Sequence, residues 1–258
     1  MDLTEFVDRL DAELRTDAYA DLDASANGLQ VGPREGSVDH VAFAVDGVLE
    51  TVERAADAGA DVLVVHHGLS WGGFDRVTGR TYDRLAPLFD HGVALYVSHL
   101  PLDGHQELGN AAGVADVLGL EERTPFGELG PEYVGQRGHL PDGGLTAERL
   151  ADRLETALDT GGEPVDVLPF GPDRIESVAV VTGSGTDYVD EAVAAGADAL
   201  VTGEGKGKAY HEAKEAGLSV FLAGHYATET FGVRALERLV GEWEAGLETT
   251  YLDVPTGL

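Results

Sequence analysis

The sequence contains no cysteine, and this absence limits the chemistry available to the protein. Disulfides, thiolate nucleophiles and cysteine-bound metal sites are excluded, so any metal ion would need histidine and carboxylate ligands. Lysine is scarce, since only Lys206, Lys208 and Lys214 occur. No apolar stretch approaches the roughly 20 residues of a transmembrane helix, and the N-terminus lacks the basic segment of a signal peptide. We therefore expect a cytoplasmic protein with no membrane partner.

Basic residues are few in general: the chain has 17 of them against 47 acidic residues, which gives a formal net charge of −30. Such a surface repels nucleic acid, which is not expected as a partner. The acidic residues are spread along the chain, which favours a salt-adapted protein that stays soluble when salt screens repulsion. The alternative to salt adaptation is that this is an ordinary acidic protein. With 43% hydrophobic residues, the 258-residue chain can bury a substantial core.

Hydrophobic periodicity predicts alternating helices and strands. The run from Val62 to Val65 is continuously apolar, which is typical of a strand buried on both faces of a parallel sheet. The predicted helices are Thr4–Leu14, Val48–Ala58, Thr146–Leu158 and Thr228–Trp243, and the predicted strands are Val38–Val45, Asp61–Val65, Val134–Leu140 and Glu248–Val254.

An internal repeat organises the chain. The pattern of Val41–Val45 and Ala55–Val64 returns at a constant offset of 137 residues (41 to 178, 55 to 192). Gly92–Val97 returns at Gly217–Leu222 with an offset of 125, so the first copy holds about twelve extra residues, assigned to Gly68–Gly79.

This pattern predicts a single α/β module over residues 1–258. We expect two similar α/β repeats that form layered sheet-and-helix halves around a metal site, with a small connecting subdomain. Repeat one covers about 38–120, the proline-punctuated connecting subdomain about 121–174, and repeat two about 175–240.

Polar residues concentrate at the strand ends, where open α/β sheets bind their ligands. His66 and His67 end one predicted strand, and Gly68 is expected to let the chain turn there. After the third strand of each repeat, His99 precedes Asp103 and His225 precedes Glu229 by four residues. Residues four apart share one face of a helix, and imidazole with carboxylate suits zinc, manganese, iron, cobalt or nickel.

Each element also has a simpler interpretation. A histidine pair is often a surface pair, and His225 with Glu229 can be a hydrogen bond at a helix start. Recurrence of the pattern in both repeats favours the metal site. Glu204, His99 and His105 are candidates for proton transfer or for supporting the ligands. Asn27 and Gln30, in a predicted Asn-Gly turn, and Tyr226 are candidates for substrate binding.

The sequence resembles the Nif-three-like dinuclear metal-centre hexameric proteins, also called GTP cyclohydrolase type 2 homologues. The resemblance covers nearly the whole chain. Its motifs are Asn27–Gly32, Val64–Gly68, Ser98–Asp103, Glu107–Ala111, Thr202–Glu204 and Ala223–Glu229. It implies two divalent metal ions per subunit, with ligands at His66, His67, Asp103, His225 and Glu229, and a homohexameric ring whose metal sites face an internal cavity.

Two functions are compatible with these features. The first is a metal-dependent hydrolase, of the GTP cyclohydrolase kind or with another substrate. The second is a non-enzymatic, metal-containing hexameric ring that binds a small ligand or a partner protein. No glycine-rich loop has Walker or Rossmann spacing, so the sequence offers no phosphate-binding loop of those kinds.

Overall fold

The computed structural model describes residues 1–257 and has an α/β architecture with two β-sheets. The helices are α1 (Leu3–Leu14), α2 (Leu49–Asp57), α3 (Arg80–His91), α4 (Leu100–Asp103), α5 (Asn110–Leu118), α6 (Ala147–Ala157), α7 (Val189–Ala194), α8 (Ala209–Ala216) and α9 (His225–Gly241). The strands are β1 (Gly28–Val31), β2 (His40–Asp46), β3 (Val62–His67), β4 (Ala94–Val97), β5 (Glu121–Leu129), β6 (Glu132–His139), β7 (Asp166–Pro169), β8 (Ser177–Val180), β9 (Ala199–Thr202), β10 (Ser219–Leu222) and β11 (Glu248–Tyr251).

The chain divides into two compact units. The first unit comprises residues 1–102 and 232–254, and the second comprises residues 103–231 with the C-terminal residues from 255. The first unit holds a five-stranded sheet in the order β1-β4-β3-β2-β11. The second holds a six-stranded sheet in the order β5-β6-β8-β9-β10-β7.

The internal repeat is visible in the register of the two sheets. In the first unit Val41 pairs with Val62 in parallel, and in the second Val178 pairs with Ala199, each residue displaced by the offset found in the sequence. The next parallel pairings, β3 with β4 and β9 with β10, correspond in the same way. Each sheet also has an antiparallel edge strand, β1 beside β4 and β7 beside β10. The prediction of two similar α/β repeats is therefore confirmed.

A carboxylate anchors the second parallel strand in both repeats. Asp61 accepts hydrogen bonds from the backbone N–H groups of residues 39 and 40, at 2.8 and 3.0 Å. Asp198 does the same for residues 176 and 177, at 2.8 and 2.9 Å. These bonds tie the start of one strand to the start of its neighbour and so help to fix the register.

The central parallel strands of each sheet are buried on both faces. Residues 41–45 and 62–65 are all buried, as are residues 178–180 and 199–201. Side chains alternate between the two faces of a strand, so a continuous apolar run is needed where helices cover both faces. Each unit has its own core, with Leu63 and Leu95 in the first and Val180 and Phe221 in the second.

Most predicted elements occur within a few residues of their expected limits, with two differences. Residues 28–31, expected in a turn, form β1, because they pair with β4 despite a shift of register between Leu29 and Val31. The helix expected from Thr228 begins at His225. The segment 121–174, predicted as a connecting subdomain, contributes β5, β6 and β7 to the six-stranded sheet.

Within residues 1–257, no helix combines the length and the apolar character needed to cross a membrane.

Candidate metal centre

Two histidines end the central strand β3 of the first unit. His66 is fully buried, and its Nδ1 lies 2.9 Å from the backbone carbonyl oxygen of Ser98. His67 is partly exposed, and its Nδ1 lies 2.8 Å from Asp46 Oδ1. Asp46 is the last residue of β2 and pairs with His67 in the sheet register, so the two side chains meet at the same strand ends.

Gly68, the next residue, is required for space rather than for the turn we expected. Its φ angle is not among the positive values that favour glycine. A Cβ atom at this position would lie 2.6 Å from Val97 Cγ2 and 2.8 Å from Gln30 Nε2. The glycine therefore lets the backbone after His67 pass close to β4.

A third histidine, His99, precedes α4 in the same unit. Its Nδ1 lies 3.0 and 3.1 Å from the two carboxylate oxygens of Asp23, and its backbone N–H donates to Asn27 Oδ1 at 2.8 Å. The Asp23 carboxylate also accepts from the N–H groups of Ser25 and Leu100. Burial alone would raise the pKa of Asp23, but the hydrogen bond and positive charge of His99, with further donors, lower it to about 2.

These three histidines form a group suited to a metal ion. One ring nitrogen from each of His66, His67 and His99 lies within 4.8 Å of the others. In each ring Nδ1 faces a carbonyl or carboxylate oxygen, which can only accept a hydrogen bond. Nδ1 must therefore carry the proton, and in the neutral ring Nε2 carries the lone pair that binds a metal. The chemistry of the donors fits a divalent transition metal.

A second group of candidate ligands lies in the second unit, where α9 begins. His225 and Glu229 are one helical turn apart, and Nε2 of the first is 3.1 Å from Oε2 of the second. Glu204, which follows β9, lies 3.2 Å from Nδ1 of the same imidazole. The hydrogen bond that the His225 imidazole donates to Glu229 is the main cause that raises the pKa of His225, to about 9, with Glu204 adding to it and burial opposing it.

Asp103, the last residue of α4, belongs to this second group. Its carboxylate is buried and lies within 4.8 Å of a carboxylate oxygen of Glu229. Asn110 Nδ2 donates to Asp103 Oδ1 at 2.8 Å, and Thr182 Oγ1 lies 3.4 Å from the same oxygen. Two buried carboxylates this close repel one another when both are ionised, and a bound cation removes that repulsion. The arrangement is therefore suited to a metal ion.

Gly183 makes room for the second group. Its φ is +60°, and a Cβ at this position would lie 2.2 Å from Glu229 Oε1 and 3.1 Å from His225 Nε2. The sequence alone did not identify Gly183 as a residue of this site. The supporting residues Asp23 and Asp46 were not recognised from the sequence, and Asn110 was noted only within the motif Glu107–Ala111. Asp46 carried a usable signal, since it is a carboxylate at the end of a strand next to β3.

The remaining candidates have other contacts. His105 lies outside the metal-ligand groups found among residues 1–257, and its Nδ1 accepts from the N–H groups of residues 107 and 108. Gln30 holds the chain after β3, since its Oε1 accepts from the N–H groups of residues 69 and 70. Asn27 supports His99 and Asp23, and Tyr226 is buried in α9. Substrate binding by Asn27, Gln30 or Tyr226 stays a prediction.

Comparisons with known proteins show similarity over the whole length of the chain. The profile of the DUF34/NIF3 family (NGG1p interacting factor 3) matches residues 1–256. A relative from Halobacterium salinarum, named GTP cyclohydrolase 1 type 2 homolog, is 58% identical over 258 residues, which is all of both chains. Among solved structures, a protein from Thermus thermophilus is 42% identical with a TM-score of 0.88, and the protein ybgI, described as of unknown function, is 34% identical with a TM-score of 0.89. Both alignments cover 100% of each chain.

Proposed function

Since the chain belongs to the DUF34/NIF3 family, we propose that it is a metal-dependent hydrolase with a dinuclear centre. The observation that carries this proposal is the group formed by His66, His67 and His99, in which every Nδ1 is held by an oxygen acceptor. Such hydrogen bonds fix the ring orientation and the tautomer of metal-binding histidines.

The proposed ligands are His66, His67, Asp103, His225 and Glu229. His66 and His67 lie in the first unit, the other three lie in the second, and the donor chemistry of each group suits a divalent metal. Two divalent ions would make water a nucleophile at neutral pH and offset negative charge on the leaving group. The identity of the metal is set by availability as much as by these ligands, which suit zinc, manganese, iron, cobalt and nickel.

His99 and Glu204 are the proposed proton carriers. The proton on His99 Nδ1 is held by Asp23, so Nε2 can accept a proton from water while the imidazolium is stabilised by the carboxylate. Glu204 is half exposed beside His225 and can exchange protons with solvent. His99 is alternatively a further metal ligand, since it belongs to the same nitrogen group as His66 and His67.

The relatives' name contains GTP cyclohydrolase, so guanosine triphosphate is the first substrate to test. Metal content should be measured by elemental mass spectrometry in the wild type and in His225→Ala, Glu229→Ala and His67→Ala. We expect about two ions per chain in the wild type, as in two-metal hydrolases, and fewer in the variants. His91→Ala is the matched control, because His91 is exposed at the end of α3 and makes no hydrogen bond or ion pair within residues 1–257.

Turnover should then be followed by the loss of the guanine ring absorbance. We expect a chelator to abolish it and added metal to restore it. A folded wild type that neither contains nor takes up metal contradicts the proposal. Metal-dependent ligand binding without hydrolysis of any tested substrate would favour the non-enzymatic ring instead.

A homohexamer is proposed from the family resemblance alone. Sedimentation equilibrium measures the mass directly, and a mass near six times the 27.1 kDa chain is expected.

A further inference from the structure

The connection between β3 and α3 is longer than its counterpart in the second repeat. Residues 68–79 join β3 to α3, whereas residues 203–208 join β9 to α8. The parallel pairing of the strands is the same in both repeats, so the fold does not require the longer connection. It carries two exposed aromatic side chains, Trp71 and Phe74, which are 47% and 41% exposed.

Three arginines accompany these aromatic residues. Arg76 lies in the connection, and Arg80 and Arg84 lie one turn apart on α3, where they share a helix face. None of the three makes an ion pair or a side-chain hydrogen bond within residues 1–257. With Asp75 and Asp83 nearby, residues 68–84 have a formal net charge of +1 in a chain of −30. These guanidinium groups are therefore available to an anion, and a local excess of positive charge would attract one.

Two adjoining cavities are lined by these side chains. The larger, of about 820 Å³, is lined by Trp71, Phe74 and Arg76 together with Asp75, and the smaller, of about 190 Å³, by Arg80 and Arg84. Leu69 and Thr81 line both cavities, which makes them neighbours. Aromatic rings are thus concentrated in the larger cavity, and two of the three guanidinium groups lie in the smaller one.

Trp71 connects this surface with the histidine group of the first unit. Its ring centroid is 4.9 Å from that of His99 in an edge-on arrangement and 6.2 Å from that of His67. Its indole N–H donates to the backbone oxygen of Gly68 at 3.2 Å, which holds the ring in place. A ligand stacked on Trp71 would therefore contact a ring that itself packs against the histidine group.

We propose that Trp71, Phe74, Arg76, Arg80 and Arg84 form a binding site for a planar aromatic compound that carries a phosphate group. Guanidinium groups bind phosphate through paired hydrogen bonds, and aromatic rings stack on a planar ligand. Three unpaired cations match a phosphate, with a charge of about −1.5 to −2 at neutral pH, better than a single carboxylate. The proposal deepens the hydrolase assignment, because it names the substrate class of the same site, but the binding contacts themselves require no metal.

The chain contains two tryptophans, and this permits a direct binding measurement. Trp243 packs against Phe6 and under Arg9, so Trp243→Phe retains an aromatic ring there and leaves Trp71 as the sole tryptophan. The fluorescence of Trp71 should be recorded in metal-free protein, in excess chelator. Three compounds should be titrated separately: guanosine 5′-monophosphate, guanosine and inorganic pyrophosphate. All variants are compared at one potassium chloride concentration at which circular dichroism shows them folded.

We expect guanosine 5′-monophosphate to quench Trp71 saturably and pyrophosphate to displace it. Guanosine should bind at least about tenfold more weakly, since it lacks the charged group. The double variant Arg80→Ala/Arg84→Ala should lose about tenfold or more in affinity for the nucleotide. Arg149→Ala, an exposed arginine on α6 without an ion pair among the described residues, should bind as the parent does. Phe74→Ala should weaken binding of the nucleotide more than binding of pyrophosphate.

Three results would contradict the proposed binding site. The first is no quenching of Trp71 at millimolar nucleotide, and the second is equal nucleotide affinity of the double variant and Arg149→Ala. The third is equal affinity for guanosine and guanosine 5′-monophosphate. A change in sedimentation of the double variant with unchanged nucleotide affinity would instead identify the surface as a contact between copies of this chain. Because the titration uses metal-free protein, it can fail while the metal centre is present, and it can succeed while no hydrolysis is found.

Discussion

The Nδ1 atom of His99 lies 3.0 Å from Oδ1 of Asp23, so a carboxylate 76 positions earlier in the sequence fixes the orientation of this imidazole. The Asp23 side chain is only 2% exposed. Its oxygens also accept from the side chain of Asn27 and from two backbone N–H groups. One buried carboxylate thus joins the loop before β1 to the segment that carries His99.

Asp23→Asn tests this relationship. The amide retains one accepting oxygen and replaces the other with a donor, so at least one charge-assisted hydrogen bond is lost. We expect a decrease of about 1–3 kcal/mol in the free energy of unfolding and a decrease of about ten- to a hundredfold in metal affinity. Urea unfolding and metal titration measure the two effects.

Asp21→Asn is the control for that experiment, because Asp21 is exposed two residues away and makes no hydrogen bond or ion pair within the part of the chain that the structure describes. Equal stability and equal metal affinity of the two variants would show that Asp23 does not support the histidine group.

The glycine before the second ligand group gives a second prediction. Gly183→Ala would place a methyl group 2.2 Å from Glu229 Oε1, so Glu229 or the backbone must move. We expect loss of most metal binding at His225 and Glu229. The positive φ of +60° adds a cost of about 1–2 kcal/mol for any side chain.

Gly196→Ala separates these two effects. This glycine has a φ of +74°, so alanine meets similar backbone strain, but no atom of residues 1–257 lies within 4 Å of the new Cβ. Gly183→Ala should therefore lose at least as much stability as Gly196→Ala, while metal content falls only in Gly183→Ala. Normal metal content in both would show that the second group tolerates displacement and is not a ligand set.

Features of the candidate site that depend on nearby residues could be predicted from the sequence. The continuous apolar run of β3 indicated a buried parallel strand, and the four-residue spacing of His225 and Glu229 matched a helical turn. The repeat offset placed His99 and Asp103 correctly with respect to their strand. The strand and helix signals lie within about ten residues, where periodicity determines which side chains share a face, whereas the repeat was found by comparing distant segments of the chain.

Contacts between distant residues could not be predicted in the same way. Asp23, Asp46 and Gly183 lie in loops or at strand ends, and many aspartates and glycines in this acidic, glycine-rich chain have similar surroundings in sequence. Only the fold shows that Asp23 meets His99. The turn expected at Gly68 illustrates the same limit, since the glycine is needed because Val97 of a neighbouring strand lies close.

The net charge of −30 gives a prediction about salt. Repulsion among acidic groups opposes compaction, and potassium chloride screens it. Salt also weakens surface ion pairs such as Arg54 with Glu50, but each contributes only about 0–1 kcal/mol. We therefore expect the Tm to rise by several degrees between about 0.1 and 2 M potassium chloride, where the screening length shortens.

Calorimetry or circular dichroism gives the Tm at each salt concentration. The variant Glu53→Gln/Asp90→Asn/Glu215→Gln removes three exposed charges that have no ion pair within residues 1–257, and its Tm should rise less steeply with salt. A Tm that is unchanged or lower at high salt would contradict salt adaptation.

His225 gives a prediction about pH in the metal-free protein. Its pKa is raised from 6.5 to about 9, chiefly by the hydrogen bond that the ring donates to Glu229, so the protonated ring stabilises the folded state. A raised pKa means that this stabilisation is complete below pH 6.5 and is lost as the pH rises through 9. In excess chelator we expect the wild-type Tm to fall by a few degrees between about pH 6.5 and 9.

The variant His225→Gln cannot take up this proton, so its Tm should change less over the same interval. Glu204→Gln should show an intermediate slope, because Glu229 still holds the imidazole at 3.1 Å. Bound metal requires neutral His225, so metal-loaded protein should lose this dependence and its metal affinity should instead increase with pH. A metal-free Tm that falls equally in the wild type and in His225→Gln would show that other groups control stability in this range.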